Sequence, residues 1–232
     1  MIQLAVEHDG NMPKPGLKSP LRPVLLTGFD AFGGDLINPS WLAVQALQGQ
    51  VIRGHKLVAA QLPTEFSASS KLLAALLHKH KPILVLCVGL AGGRAGLSLE
   101  RIAINVQDAR IADNAGAQPI DISIIQSGPA AFFTSLPIKS MLQALTEAGL
   151  YAEVSQTAGT FVCNHVFYTL LHLLKNNRQD IKPLGGFMHV PYLPDMGLPC
   201  MAFEDIVRGL HIALTSALTT ETDAVLAAGA LN

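Results

Sequence analysis

The chain has 232 residues, 50% of them hydrophobic and 14% charged, with a formal net charge of -1. That length suits one α/β domain with a sizeable core, and the charge balance excludes a polyanion-binding surface, so nucleic acid is not an expected partner. No apolar run reaches the roughly 18 residues a bilayer span requires, the first residues lack a signal peptide's basic start and apolar stretch, and Cys87, Cys163 and Cys200 show no C-x-x-C or zinc spacing. The expectation is a cytoplasmic protein with no membrane association and with free thiols.

Residues 1–22, with Pro13, Pro15, Pro20, Gly10 and Gly16, hold no sustained period and read as an extension, with Met12 as an alternative start. Residues 23–232 read as a single domain. Short apolar runs at 24–27, 57–62, 83–89, 102–106, 152–156 and 186–190 predict strands, and helical periods at 39–47, 66–80, 137–148, 164–174 and 203–217 predict helices. This alternation predicts a three-layer α/β/α sandwich around a mixed, largely parallel twisted sheet. So little charge leaves apolar surface over for burial between subunits, which predicts a homo-oligomer.

Ligands in such sheets collect beyond the carboxyl ends of the strands. Cys163 follows the fifth predicted strand in T-A-G-T-F-V-C-N-H, at the start of a helix whose unpaired N–H groups favour a thiolate. The competing reading is a small buried hydrophobe among Phe161, Val162, Val166 and Phe167. A cysteine nucleophile needs a base and a group that orients the base. His165 lies two helical positions on, about 200° around the axis, and reads as packing or capping. His189, in G-G-F-M-H-V-P-Y at a strand end, is the better placed base. Glu100 opens the run E-R-I-A-I-N-V and is the candidate orienter, against the alternative of a surface pair with Arg101. Arg110, in D-A-R-I-A-D-N, is a candidate for charge near an oxyanion.

The loop T-G-F-D-A-F-G-G, residues 27–34, follows the first strand but lacks a G-x-G-x-x-G or G-K-S/T signature. Phe29, Phe32 and Asn38 point instead to a pocket for a flat, neutral, amide-bearing group, core packing of the two rings being the alternative.

Together, T-G-F-D-A-F-G-G with I-N-P-S-W, V-G-x-A-G-G-R, L-E-R-I-A-I-N-V with D-A-R-I-A-D-N, T-A-G-T-F-V-C-N-H and G-F-M-H-V-P-Y closely resemble the pyroglutamyl peptidase I, or pyrrolidone-carboxylate peptidase, family over about 24–218. The resemblance implies a cysteine peptidase that removes an N-terminal pyroglutamyl residue from peptides. It places the nucleophile on Cys163, the histidine on His189, the glutamate on Glu100 and the oxyanion arginine on Arg110. It places ring contacts on Phe29 and Phe32 and a polar pocket residue on Asn38. It further implies an α/β/α fold, a cytoplasmic location, no cofactor and a homotetramer. One departure is Leu90, where the family's V-G-Q-A-G-G has glutamine; a side-chain hydrogen bond to substrate from that position would be worth roughly 0.5–1.5 kcal/mol and leucine cannot make it, whereas a contact made by the backbone there would change little. Two other readings stay open, a nucleoside phosphorylase-like enzyme that needs no cysteine, and a non-catalytic binding member of the family.

Overall fold

The computed structural model describes residues 21–177 and 182–229. Most of the expected extension, and Met12 with it, lies outside the described residues. Arg22 is already tied to the domain, its guanidinium donating to the carbonyls of Lys81 at 2.9 Å and Pro82 at 2.6 Å.

In chain order the elements are β1 (Val24–Phe29), α1 (Pro39–Ala46), β2 (Val51–Ile52), β3 (His55–Leu62), α2 (Phe66–His80), β4 (Leu84–Leu90), β5 (Leu97–Glu100), β6 (Ile102–Ile104), β7 (Ala131–Phe133), α3 (Ile138–Glu147), β8 (Ala152–Ser155), α4 (Val162–Lys175), β9 (Leu184–Val190) and α5 (Phe203–Thr219). Seven strands form one sheet in the order β2-β3-β1-β4-β9-β5-β8. β3, β1, β4 and β9 run parallel, and β5 runs antiparallel to β9 but parallel to β8.

Helices cover both faces, which is why the central strands are continuous apolar runs with no alternation. Val24, Leu26, Leu84, Leu86 and Met188 pack with α1, α3 and α5. Leu25, Val85, Cys87 and Phe187 pack with α2 and α4 on the other side. The arrangement is the α/β/α sandwich expected. Among the described residues no helix is long and apolar enough to cross a membrane.

The strands β2, β5 and β7 are additions to the sequence reading, and the strand expected at 102–106 is shorter and lies outside the main sheet. The chain turns at Arg101, whose N–H donates to Ser155 O at 3.0 Å while its carbonyl accepts from Thr134 N at 2.9 Å. The chain before this point is β5 in the main sheet; after it, β6 leaves to form a hairpin with β7. Glu100 therefore ends a strand where the sequence suggested that it opens one. It is also fully buried, which rules out the alternative of a surface pair with Arg101.

Candidate active site

Gly89 and His189 are neighbours in the parallel β4–β9 register. Both lie on the α2/α4 face, two residues on from Cys87 and Phe187. The start of α4 reaches over this pair: a Cβ added at Gly89 would stand 2.8 Å from Cys163 Sγ and 2.9 Å from the Phe187 ring. Only a residue without a side chain lets the helix come this close to the sheet, and this closeness puts the thiol above Gly89, next to the strand that carries His189. The Phe187 ring packs against the imidazole, with centroids 4.8 Å apart.

The antiparallel course of β5 carries Glu100 back beneath His189. Ser98 stands opposite His189, and Glu100 follows two residues later on the same face. Glu100 Oε1 accepts from His189 Nδ1 at 2.7 Å, and this bond leaves Nε2 as the imidazole nitrogen free to face a reacting group. The same oxygen accepts from Arg94 Nη1 at 2.7 Å. Oε2 is buried and has no partner among the described residues.

Cys163 is the second residue of α4, which begins at Val162, two residues before the start at 164 that the sequence suggests. Its first backbone bond runs from His165 N to Phe161 O at 3.1 Å. The N–H groups of Val162, Cys163 and Asn164 precede that bond and have no helical acceptor. The Asn164 side chain fixes this end of the helix, accepting from Ile104 N at 3.0 Å and donating to the carbonyls of Ile104 at 2.9 Å and Val106 at 3.0 Å.

The thiol is not the resting thiolate that the helix start alone suggests. Burial foremost, then the Glu100 carboxylate and Cys87, push the Cys163 thiol up to about 12, against a downward pull from Arg94. Desolvation of the anion outweighs the few partial charges of one helical turn. A thiol in this setting reacts only if its proton is removed, and His189 lies on the strand beside Gly89, over which the sulfur stands.

The remaining candidates have varied surroundings. Phe29 is buried and packs on Phe187, with centroids 6.3 Å apart. Phe32 is partly exposed and lies against Phe161, the residue before α4, at 6.1 Å. The aromatic surface next to Cys163 thus pairs Phe32 with Phe161, a residue that sequence reasoning treats only as a flank of the cysteine. Asn38 caps α1: its Oδ1 accepts from Ser40 N at 3.1 Å and Ser40 Oγ at 2.8 Å, and its Nδ2 donates to Asp30 O at 2.9 Å. Leu90 ends β4 beside Val190. Arg110 is exposed, and its guanidinium has no hydrogen-bond or ion-pair partner among the described residues. Arg94 is the charged group that sequence reasoning missed. It stands inside the quoted V-G-x-A-G-G-R, but its bond to Glu100 depends on how the 91–96 loop folds back.

A family model described as pyroglutamyl peptidase matches residues 22–220. The chain is 53% identical over 208 residues to a pyrrolidone-carboxylate peptidase of Cupriavidus necator, covering 88% of this chain and 96% of that protein. It is 48% identical over 217 residues to that of Yersinia pestis, covering 91% and 100%. Among solved structures, the pyroglutamyl peptidase I of Bacillus amyloliquefaciens superposes with a TM-score of 0.85 at 44% identity, covering 89% of this chain and 99% of that one. The pyrrolidone carboxyl peptidase of Thermococcus litoralis gives 0.82 at 34% identity, covering 85% and 94%.

Proposed function

The chain belongs to the pyroglutamyl peptidase family, whose members are cysteine-type peptidases, and from that premise we propose that Cys163, His189 and Glu100 are the groups with which it hydrolyses the bond after an N-terminal pyroglutamyl residue. The observation that carries the assignment is the Glu100 Oε1–His189 Nδ1 bond of 2.7 Å on the strand beside Gly89, over which the Cys163 thiol stands. Glu100 orients the imidazole; His189 Nε2 takes the thiol proton as Sγ bonds to the pyroglutamyl carbonyl carbon. The N–H groups at the start of α4 hold the oxyanion, and Arg110, exposed and unpaired, supplies added positive charge to it. His189 then gives its proton to the leaving amine. Water, deprotonated by the same imidazole, cleaves the thioester and releases pyroglutamate.

Selectivity rests on an uncharged pocket. Phe32 faces the lactam ring, with Phe29 as the floor behind it; Asn38 fixes the loop that carries Phe32, and Leu90 closes the strand end without a polar group. A free N-terminal ammonium in such a pocket is desolvated and unpaired. The substrates are therefore N-terminally pyroglutamylated peptides. Exposed Phe133, Ile120 and Ile122 support a homo-oligomer, a tetramer by family likeness, and three unpaired cysteines support a reducing, cytoplasmic location. Two apolar cores on one shared sheet support a single peptidase domain over 23–232.

Release of a chromogenic amine from its pyroglutamyl amide, with the prolyl amide as control, tests the reading. Turnover of the pyroglutamyl compound alone, abolished in Cys163→Ala, is the expected result. Equal turnover by Cys163→Ala would reject the nucleophile.

A further inference from the structure

We infer that Arg94 is a positioning residue for the Glu100–His189 pair: its guanidinium fixes the carboxylate oxygen that orients the imidazole and sets the net charge against which His189 accepts the Cys163 proton. The inference rests on the triad assigned above and adds a fourth member to it.

The geometry carries the argument. Arg94 Nη1 and His189 Nδ1 both donate to Glu100 Oε1, each at 2.7 Å, so the two acceptor positions of that oxygen are both used. Oε2 has no donor among the described residues. The rotation of the carboxylate is therefore fixed from one oxygen, and Arg94 supplies half of the fixing. Its other arm, Nη2, donates to Thr157 O at 3.0 Å, in the loop that leads to Cys163. One planar guanidinium thus spans the strand that carries the orienter and the loop that leads into the nucleophile's helix. The 91–96 loop is held in turn: Gly92 lies so close to the Tyr192 ring that a Cβ there would collide with its hydroxyl end. Tyr192 follows His189 by three residues, so the histidine strand and the arginine loop are packed together.

Charge adds a second consequence. Glu100 is fully buried, and Arg94 is the cation paired with it. The other ionisable groups around the site are the thiols of Cys163 on α4 and Cys87 on β4. Glu153 on β8 contacts Ser98, Arg101 turns to Gln156 and the Ala228 carbonyl, and Arg110 faces outward. Removing Arg94 leaves a buried carboxylate with only the imidazole to answer its charge. The pair then binds its proton more tightly, and His189 is unable to accept from Cys163 until the pH is higher. The thiol moves the same way, because Arg94 opposes the upward push of Glu100 on it.

The test compares wild type, Arg94→Met and Arg94→Lys by kcat/KM for the chromogenic pyroglutamyl amide across pH. In Arg94→Met the acid limb is expected to move up by about one pH unit or more, the scale of a close opposite charge, with activity recovering toward alkaline pH. Arg94→Lys restores the limb but only part of kcat, since an ammonium lacks the fork that reaches Thr157. A uniform loss at all pH values, or an unchanged profile, would overturn the inference. A second readout needs no substrate: alkylation of Cys163 by iodoacetamide at about pH 9, read by mass on its peptide, slows several-fold in Arg94→Met and recovers in Arg94→Lys. Equal rates in all three proteins would also overturn it. Should Arg94→Met not fold, Arg94→Gln keeps a donor without the charge, and its limb must still move. Wild type inert toward the amide would reject the substrate assignment, while the alkylation arm still decides the role of Arg94.

Discussion

Gly89 and Cys163 share one volume: a Cβ on the glycine would stand 2.8 Å from the thiol sulfur and 2.9 Å from the Phe187 ring. The sheet and α4 meet through this gap, so the position of the Cys163 sulfur over Gly89 depends on a missing side chain.

Gly89→Ala therefore acts on the reaction as well as on packing. Neither neighbour yields cheaply, because Phe187 is buried and Cys163 is fixed by the α4 backbone. Overpacking of this kind costs about 1–3 kcal/mol, and a nucleophile displaced by a fraction of an ångström lowers kcat about ten- to a hundredfold. The expected pattern in steady-state kinetics is a fall in kcat with KM little changed. A variant with wild-type kcat would show that sulfur does not sit where the contact puts it.

Glu100→Gln removes the buried charge but not the volume. An amide can present its NH2 to Nδ1, which favours the tautomer with the proton on Nε2, the wrong nitrogen for accepting from sulfur. Loss of an orienting carboxylate of this type costs about 10²–10⁴ in kcat. Kinetics with the chromogenic amide, beside a thermal melt showing a folded protein, checks this. A loss below about tenfold would move the orienting role elsewhere.

The thiol pushed up to about 12 predicts how Cys163 titrates without substrate. Iodoacetamide alkylation of the Cys163 peptide should keep rising above about pH 9, with only a minor fraction reactive at neutral pH. An exposed thiol, with an ordinary value of 9.0, levels off within about two pH units of it, before Cys163 does. A rate that levels off in the acidic range would demonstrate a preformed thiolate–imidazolium pair and remove the need for proton transfer during attack.

Asn38 has a position in the cap of α1 that the sequence did not reveal. Its Oδ1 and Nδ2 are both engaged within the 30–40 turn. Asn38→Ala should lower stability by about 1 kcal/mol, the usual worth of a side-chain cap. Asn38→Asp keeps Oδ1 and should restore much of it. If the two variants instead melt alike while KM alone rises, Asn38 contacts substrate directly and its capping is incidental.

These residues differ in how far local sequence discloses their role. The outer layers and central strands are legible because strands buried on both faces are unbroken apolar runs and the helices keep their period. Cys163 and His189 stand out because a turn of small residues and a strand end are visible in one dimension. Glu100 is recognisable too, but at the wrong end of its strand: nothing local in L-E-R-I-A-I-N-V signals that the chain leaves the sheet after Arg101. Arg94 is invisible as a partner of Glu100 because their bond depends on a loop returning on itself. Phe161 is hidden in the same way, since its ring meets Phe32 across more than a hundred residues.

His165 gives the last prediction, on stability. It is buried at the edge of the Phe66 ring, with Nε2 against Ser70 Oγ and Nδ1 without a partner among the described residues. Ser70 Oγ also donates to Phe66 O at 3.1 Å, so it accepts from Nε2–H and leaves a bare lone pair on Nδ1. Burial pushes the imidazole down to about 4 from its ordinary 6.5, against a smaller upward pull from the Phe66 backbone. The folded form thus holds its proton more weakly than the unfolded chain. This contribution to stability is fully present above 6.5 and is lost as the pH falls from 6.5 toward about 4. A gap of that size corresponds to roughly 3 kcal/mol at most. Urea midpoints measured in this window should fall more steeply for wild type than for His165→Gln, which carries no titrating group there; parallel curves would show that His165 is hydrated or finds a partner when charged.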